Sequence, residues 1–254
     1  MSLLSRKQLR SQDLISQDKL DSVTIVGLGG IGSGLVMLLA TMGFKEIVGY
    51  DHDAMEEHNF GTTLYPESWY HHRDSNMKAG FAKKIAKNYG GIDCEPVMHP
   101  EKFVSGSYLT PKAIVCTDDM LSRKTVYEEW LKLEDRQCFI DLRMDALTMT
   151  CVTITKDSDV YLNYWFEPGG SGPEAPCTMK HTIFCANLIS GIGVNQLFHY
   201  LTERPFYQYI YQGLSPLTQE VKDFYCGETI VENNTNNILT EENVYANTNS
   251  YGYN

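Results

Sequence analysis

Apolar residues in the first half of the chain fall in short unbroken runs, separated by glycine-closed stretches of helical spacing. "VTIVG" (23–27) is β-branched and continuous, and predicts a strand buried on both faces. "IGSGLVMLLATMG" (31–43) predicts a helix ending at Gly43, and "EIVGYD" (46–51) a second buried strand. Periodicity lapses over 55–76, which includes "HHRDSN", and returns as a helix with lysines on its outer face over "MKAGFAKKIAKNYG" (77–90). "DCEPVMH" (93–99) predicts an edge strand, because Pro96 has no N–H to give a second neighbour. "KAIVCTDD" (112–119) predicts a fourth strand, which carries Cys116 and runs into a helix over 121–133.

The second half changes character. "QCFIDLRMDALTMTCVTIT" (137–155) ends in alternation, the pattern of a hairpin on an antiparallel extension. "EPGGSGPEAPC" (167–177) packs three prolines and three glycines into eleven residues and predicts an exposed crossover loop. A long apolar helix with small residues along one side follows at 183–202, with Cys185 on its apolar face. Tyr207, Tyr209 and Tyr211 then alternate as in a strand with one exposed face. Residues 1–20 form an N-terminal segment whose positions 3–20 fit a short amphipathic helix. Residues 232–254 hold eight asparagines and no lysine or arginine, which buries too little surface to offset chain entropy, so a disordered tail is expected. Between them, 21–231 reads as a single α/β domain, with a mostly parallel sheet extended by antiparallel strands.

Composition narrows the function more than the fold. A net charge of −11 over 254 residues argues against non-specific nucleic-acid binding and against docking on anionic membranes. No apolar run approaches the roughly 18–20 residues of a transmembrane helix, and the polar N-terminus lacks a signal-peptide core, so a cytoplasmic location is expected. The seven cysteines are scattered, with no C-x-x-C pair to suggest a zinc ribbon, and reduced thiols are expected. His71 and His72 lack a suitably spaced third ligand.

The chemistry concentrates after the first strand. Gly27, Gly29, Gly30 and Gly32 fit G-x-G-G-x-G: a tight turn, close approach of phosphate oxygens to backbone N–H groups, then a helix aiming its positive end at the anion. Asp51 closes the next strand 24 residues after Gly27, where a carboxylate typically accepts from ribose hydroxyls.

Taken together these motifs resemble the ThiF/MoeB-like adenylyltransferases, relatives of the ubiquitin-activating enzymes. "GLGGIGS" (27–33) is similar to the family's "GLGGLGS", and "DHDAMEEHN" (51–59) to its "D-x-D…N". Lys78 is similar to its helix lysine, "CTDDMLSR" (116–123) to its "CTDN…R", and Arg143-Met144 to its "R-M". The resemblance implies a Rossmann-like fold that binds ATP with Mg²⁺ and adenylates the C-terminal carboxylate of a small carrier protein or peptide. It further implies a homodimer, or a heterodimer with an active relative. Implied roles follow residue by residue. Amides at Gly29, Gly30, Ile31 and Gly32 cradle phosphates, Asp51 and Asn59 hold the ribose, Asp53 joins the cofactor-binding set, Lys78 neutralises phosphate charge, and Asp118 holds Mg²⁺. An arginine from "LSRKQ" (4–8), Arg6 first and Arg10 second, is expected to reach the partner's site as an arginine finger does. One position departs: where the family has an arginine three residues after the asparagine, this chain has Thr62, without charge or a bidentate grip. Arg73 lies in the enlarged loop that follows.

"EAPCTMKHT" (174–182) is similar to the setting of the thioester cysteine in ubiquitin-activating relatives, which implies that Cys177 is a nucleophile, with Lys180 and His181 favouring thiolate. Two other classes stay open. A catalytically degenerate member would act as a nucleotide-binding or scaffold partner. An NAD-dependent oxidoreductase is disfavoured by the adjacent glycine and by the CTDD segment.

Overall fold

A computed structural model describes residues 11, 13–70, 76–157, 161, 182–226 and 229–231. Its centre is β1 (Ser22–Val26), whose buried residues alternate between two cores. Val23 and Ile25 join one and Val26 the other. Strand β1 pairs in parallel with β2 (Glu46–Tyr50) on one side and with β4 (Lys112–Val115) on the other. Strand β3 (Glu95–His99) pairs with β2 at the edge, and β5 (Cys138–Asp145) pairs in parallel with β4. Pro96 therefore occupies an edge strand, where its missing N–H deprives no neighbour.

From β5 onward the ladder turns antiparallel, through β6 (Thr148–Thr155), β7 (Phe206–Leu214), β8 (Leu217–Cys226) and β9 (Thr229–Val231). The order is β3-β2-β1-β4-β5-β6-β7-β8-β9. The chain leaves β1 toward β2 and later returns to its other side as β4. The carboxyl ends of these two strands thus flank the crevice in which open α/β sheets bind ligands.

Helices cover both faces. On one lie α1 (Gly30–Met42), α2 (Lys78–Gly90) and α4 (Ile183–Leu201), packing Leu35, Leu39, Phe81, Ile85, Ile189 and Leu197 against Ile25, Ile47 and Ile140. Helix α3 (Met120–Leu131) covers the other with Val126, Tyr127 and Trp130, against Val26, Val115 and Phe139. Helix α1 ends where Gly43 turns left-handed (φ +106°), its N–H bonded to the carbonyl of Leu39. Small residues let α1 and α4 touch: a Cβ on Gly34 would lie 2.7 Å from Ser190 Oγ, which donates to the carbonyl of Ile31 at 2.8 Å.

Some expectations change. Within the helix expected over 3–20, the described residues contain a single 3-10 turn, Gln17–Lys19, with residues 1–10 and 12 outside the described set. The irregular stretch 55–76 carries two 3-10 turns, Glu57–Gly61 and Glu67–Trp69. Cys116 lies one residue past β4, and Tyr207, Tyr209 and Tyr211 are each half-buried on β7 rather than lining an exposed face. The crossover loop and the tail lie outside the described residues. Among the described residues, no helix is long and apolar enough to cross a membrane.

Trp130 is fully buried between α3 and β5, its ring 5.7 Å from that of Phe139 and its indole N–H donating to the carbonyl of Pro111 at 3.0 Å. Trp130→Ala should destabilise the fold by about 3–5 kcal/mol, measured by urea unfolding.

Candidate active site

Three segments converge on the turn after β1. Gly27 is left-handed (φ +98°), and a Cβ there would lie 2.9 Å from the carbonyl carbon of Cys116 and 3.0 Å from the amide of Thr117. A Cβ on Gly30 would lie 2.8 Å from the carbonyl oxygen of Thr62. The exit of β4 and the segment 59–65 are thus pressed directly onto the glycine loop. At Gly32 there is no room at all, since a methyl group would run into the carbonyl of Gly27. Gly29 differs: nothing lies within 4 Å of where its Cβ would be. Gly29 is itself the N-cap of a 13-residue helix and brings no side chain to its first-turn amides, and such amides together with the helix dipole favour an anion.

Polar side chains hold the loop in this shape. Asp51 accepts from the amide of Leu28 at 2.7 Å and, through its other oxygen, from the amide of Asp53 at 2.9 Å. Tyr65 donates its hydroxyl to the carbonyl of Leu28 at 2.7 Å. Ser33 donates to the carbonyl of Gly30 at 2.8 Å and accepts from the amide of Leu64 at 3.0 Å. Burial pushes the Asp51 carboxyl above its usual range, outweighing those amide bonds and the charge of Lys78. Each of its oxygens has a second lone pair available to a ribose hydroxyl.

Lys78 opens α2, where a cation meets the positive end of the helix dipole. It is held there by Asp53: the amide of Lys78 donates to the Asp53 carbonyl at 3.0 Å and Nζ reaches Oδ2 at 2.7 Å. The ammonium side chain is mostly covered and its carboxylate half-exposed. Burial pushes Asp53 up, but the bond and charge of Lys78, with His52, outweigh it and hold the carboxyl below its ordinary value. Asp51, His52 and Asp53 present ligand atoms within 4.8 Å of one another.

Asn59 spends its side-chain oxygen on the amide of Glu56 at 2.9 Å, closing a capping box on its own turn. Thr62 turns its hydroxyl back to the carbonyl of Asn59 at 3.2 Å and offers no charge to the loop. Asp118 is exposed just beyond Thr117, whereas Asp119 caps α3, accepting from the amides of Leu121 and Ser122. Asp118 is thus an exposed, hard carboxylate, chemically suited to ligate Mg²⁺. Cys116 is no nucleophile: burial pushes its thiol up to about 12, and Sγ donates to the carbonyl of Gly27 at 3.1 Å. Cys185 is fully buried and its thiol raised by burial. Arg6, Arg10, His71, His72, Arg73, Cys177, Lys180 and His181 lie outside the described residues.

Motif reading passed over Ser33, Tyr65 and Asp141. Asp141 is fully buried on β5 and binds Arg123 and Arg143, the two arginines of the quoted motifs. Ser33 belongs to "GLGGIGS" itself, but its bond to Leu64 joins residues 31 apart.

Two outcomes are expected from this geometry. Gly32→Ala forces the loop apart and should lower the unfolding temperature and abolish nucleotide binding together, as read by thermal denaturation with and without ATP. The Asp53–Lys78 pair contributes stability at a pH above the carboxylate's unfolded pKa of roughly 3.9 and loses it as pH falls through the lower folded value. Lys78→Met should therefore return the Asp53 titration, followed by carboxylate NMR, to a higher pH.

Comparison with known proteins agrees with this layout. No curated protein sequence matches the chain. Among solved structures, PaaA superposes with a TM-score of 0.65 at 15% identity, covering 89% of this chain and 76% of PaaA. The microcin C7 biosynthetic enzyme MccB, in complex with N-formylated MccA, gives 0.68 at 15% identity, covering 90% and 74%. E. coli MccB with ATP gives 0.60 at 15% identity, covering 90% and 73%. These likenesses show a shared fold. The ThiF family model matches residues 6–226, and the chain belongs to the ThiF family.

Proposed function

We propose that this chain is an ATP- and Mg²⁺-dependent adenylyltransferase that acts on the C-terminal carboxylate of a peptide or small protein. The observation that carries the reading is the turn Gly27–Gly32, with the exit of β4 packed on Gly27 and with Gly29, open where its Cβ would be, as the N-cap of α1. Membership of the ThiF family supports it, as does the solution of a structural neighbour, MccB, with ATP and with the MccA peptide.

In this reading the amides of residues 29–32 hold phosphate oxygens and Asp51 the ribose. Lys78 exchanges its bond to Asp53 for contact with phosphate as charge moves onto the leaving group. Mg²⁺, held by Asp118, would supply Lewis-acid neutralisation of phosphate charge. The substrate carboxylate attacks the α-phosphorus, the α–β P–O bond breaks, and pyrophosphate leaves with the electron pair. A dimer would bring Arg6 of one protomer to the site of the other. The Cys177 thiolate would then take the acyl group from AMP as a thioester. A second reading, a nucleotide-binding scaffold, is favoured by Thr62, whose side chain is spent on its own turn.

Mg-ATP at about 100 times its dissociation constant should add about 2.7 kcal/mol and raise the unfolding temperature by roughly 5–10 °C, with NAD giving no shift. Lys78→Ala should remove most of that rise. ATP–pyrophosphate exchange that requires a peptide with a free C-terminus separates the enzyme from the scaffold. Binding without any exchange would favour the scaffold.

A further inference from the structure

Asp141 stands on the α3 face of β5 among Phe139, Val152 and Ile154, with no exposure to solvent. A lone carboxylate there would be strongly destabilising, and packing alone would be served better by an apolar residue. Instead it draws in three partners. Arg123 from α3 pairs with Oδ1, Arg143 donates to Oδ2 from Nε at 2.9 Å and Nη2 at 2.7 Å, and the Tyr161 hydroxyl donates to Oδ2. Burial pushes the carboxyl up, but the two guanidinium groups and these bonds outweigh it and hold it ionised.

Arg123 does more than neutralise Asp141. Its Nη1 also donates to the carbonyl of Leu142 at 2.9 Å, and its Nη2 donates to the carbonyl of Thr117. One guanidinium therefore brackets β5 to the exit of β4. Thr117 precedes Asp118, so a shift of the bracket is carried along the backbone to Asp118. Tyr161 is the residue just before the segment 162–181 that contains Cys177. Its ring is wedged between those of Tyr127, 4.5 Å away, and Phe139, 5.3 Å away.

We propose that Asp141 and Tyr161 are positioning residues for the nucleotide site, acting through Arg123 on the backbone at Thr117 and thereby on Asp118. This rests on the adenylyltransferase reading and on the place of Asp118 within it. Tyr161→Phe keeps the wedged ring and removes one charge-assisted hydrogen bond. Arg123→Lys keeps the charge and removes the fork that reaches Thr117.

The test is isothermal calorimetry on the full chain, with ATP in the presence of Mg²⁺ and again in EDTA. Both variants should weaken Mg-ATP binding by about tenfold, the scale of one hydrogen bond to a charged group, while metal-free ATP binds as in wild type. Trp130→Phe loosens the same core at a side chain bonded to the Pro111 carbonyl rather than to the Asp141 carboxylate, and should leave the ratio of the two affinities unchanged. An unchanged ratio in whichever of the two variants folds, or an equal change in Trp130→Phe, overturns the positioning role and leaves the adenylyltransferase reading intact. A wild-type chain that binds no Mg-ATP overturns that reading, and the inference falls with it.

Discussion

The site depends on the absence of a single carbon atom. At Gly32 the first turn of α1 lies against the carbonyl of Gly27, and no side chain fits between them. That contact brings the helix N-terminus to the mouth of β1, and the exit of β4 lies against Gly27. Any residue with a Cβ at position 32 would separate the elements that make the opening. The rest of the first half supports this closeness: Asp51, Tyr65 and Ser33 each anchor the loop from a different segment.

Charge is arranged around the opening in a way that stability alone would not select. A lysine at the first position of a helix opposes the dipole, and Asp53 offsets that cost within hydrogen-bonding distance. Asp51 is half-buried yet tied to two amides, so it remains an acceptor while being held in place. On the opposite face of the sheet the buried Asp141 carboxylate pairs with two guanidinium groups, Arg123 buried and Arg143 half-buried. Thr62, where the resemblance implies an arginine, bonds back to the carbonyl of Asn59 and brings no charge.

Much of this was legible in the sequence because it is local. Strand β1, helix α1 and strand β2 are marked by β-branched runs and by glycines that have to be glycine, and Pro96 announces an edge. The glycine loop and Asp51 follow from spacing, and Lys78 from the resemblance to the family's helix lysine. What escaped was long-range. Strands β8 and β9 were not foreseen, because "LTQEVKDFYC" carries charge and polar residues throughout and becomes a strand by pairing with β7. "CFIDLRMD" reads as an apolar strand with interruptions. Only the fold shows that its first acid meets an arginine 18 residues earlier and a tyrosine 20 residues later. Ser33 looked like part of a phosphate motif, although its bond to Leu64 is architectural.

Strand β5 belongs to two ladders of different kinds, parallel toward β4 and antiparallel toward β6. The consequence concerns how the chain finds its fold. On the β4 side, every pairing closes across a helix or long connection, so those contacts join residues far apart and form late. On the β6 side, the β5–β6 hairpin closes over a short turn, on the order of microseconds. Asp141 sits on the boundary strand and needs partners from both regimes, Arg123 from the slow half and Tyr161 from beyond the fast hairpin. The buried charge cluster is thus completed only when both halves have docked, which makes its closure a late, cooperative step.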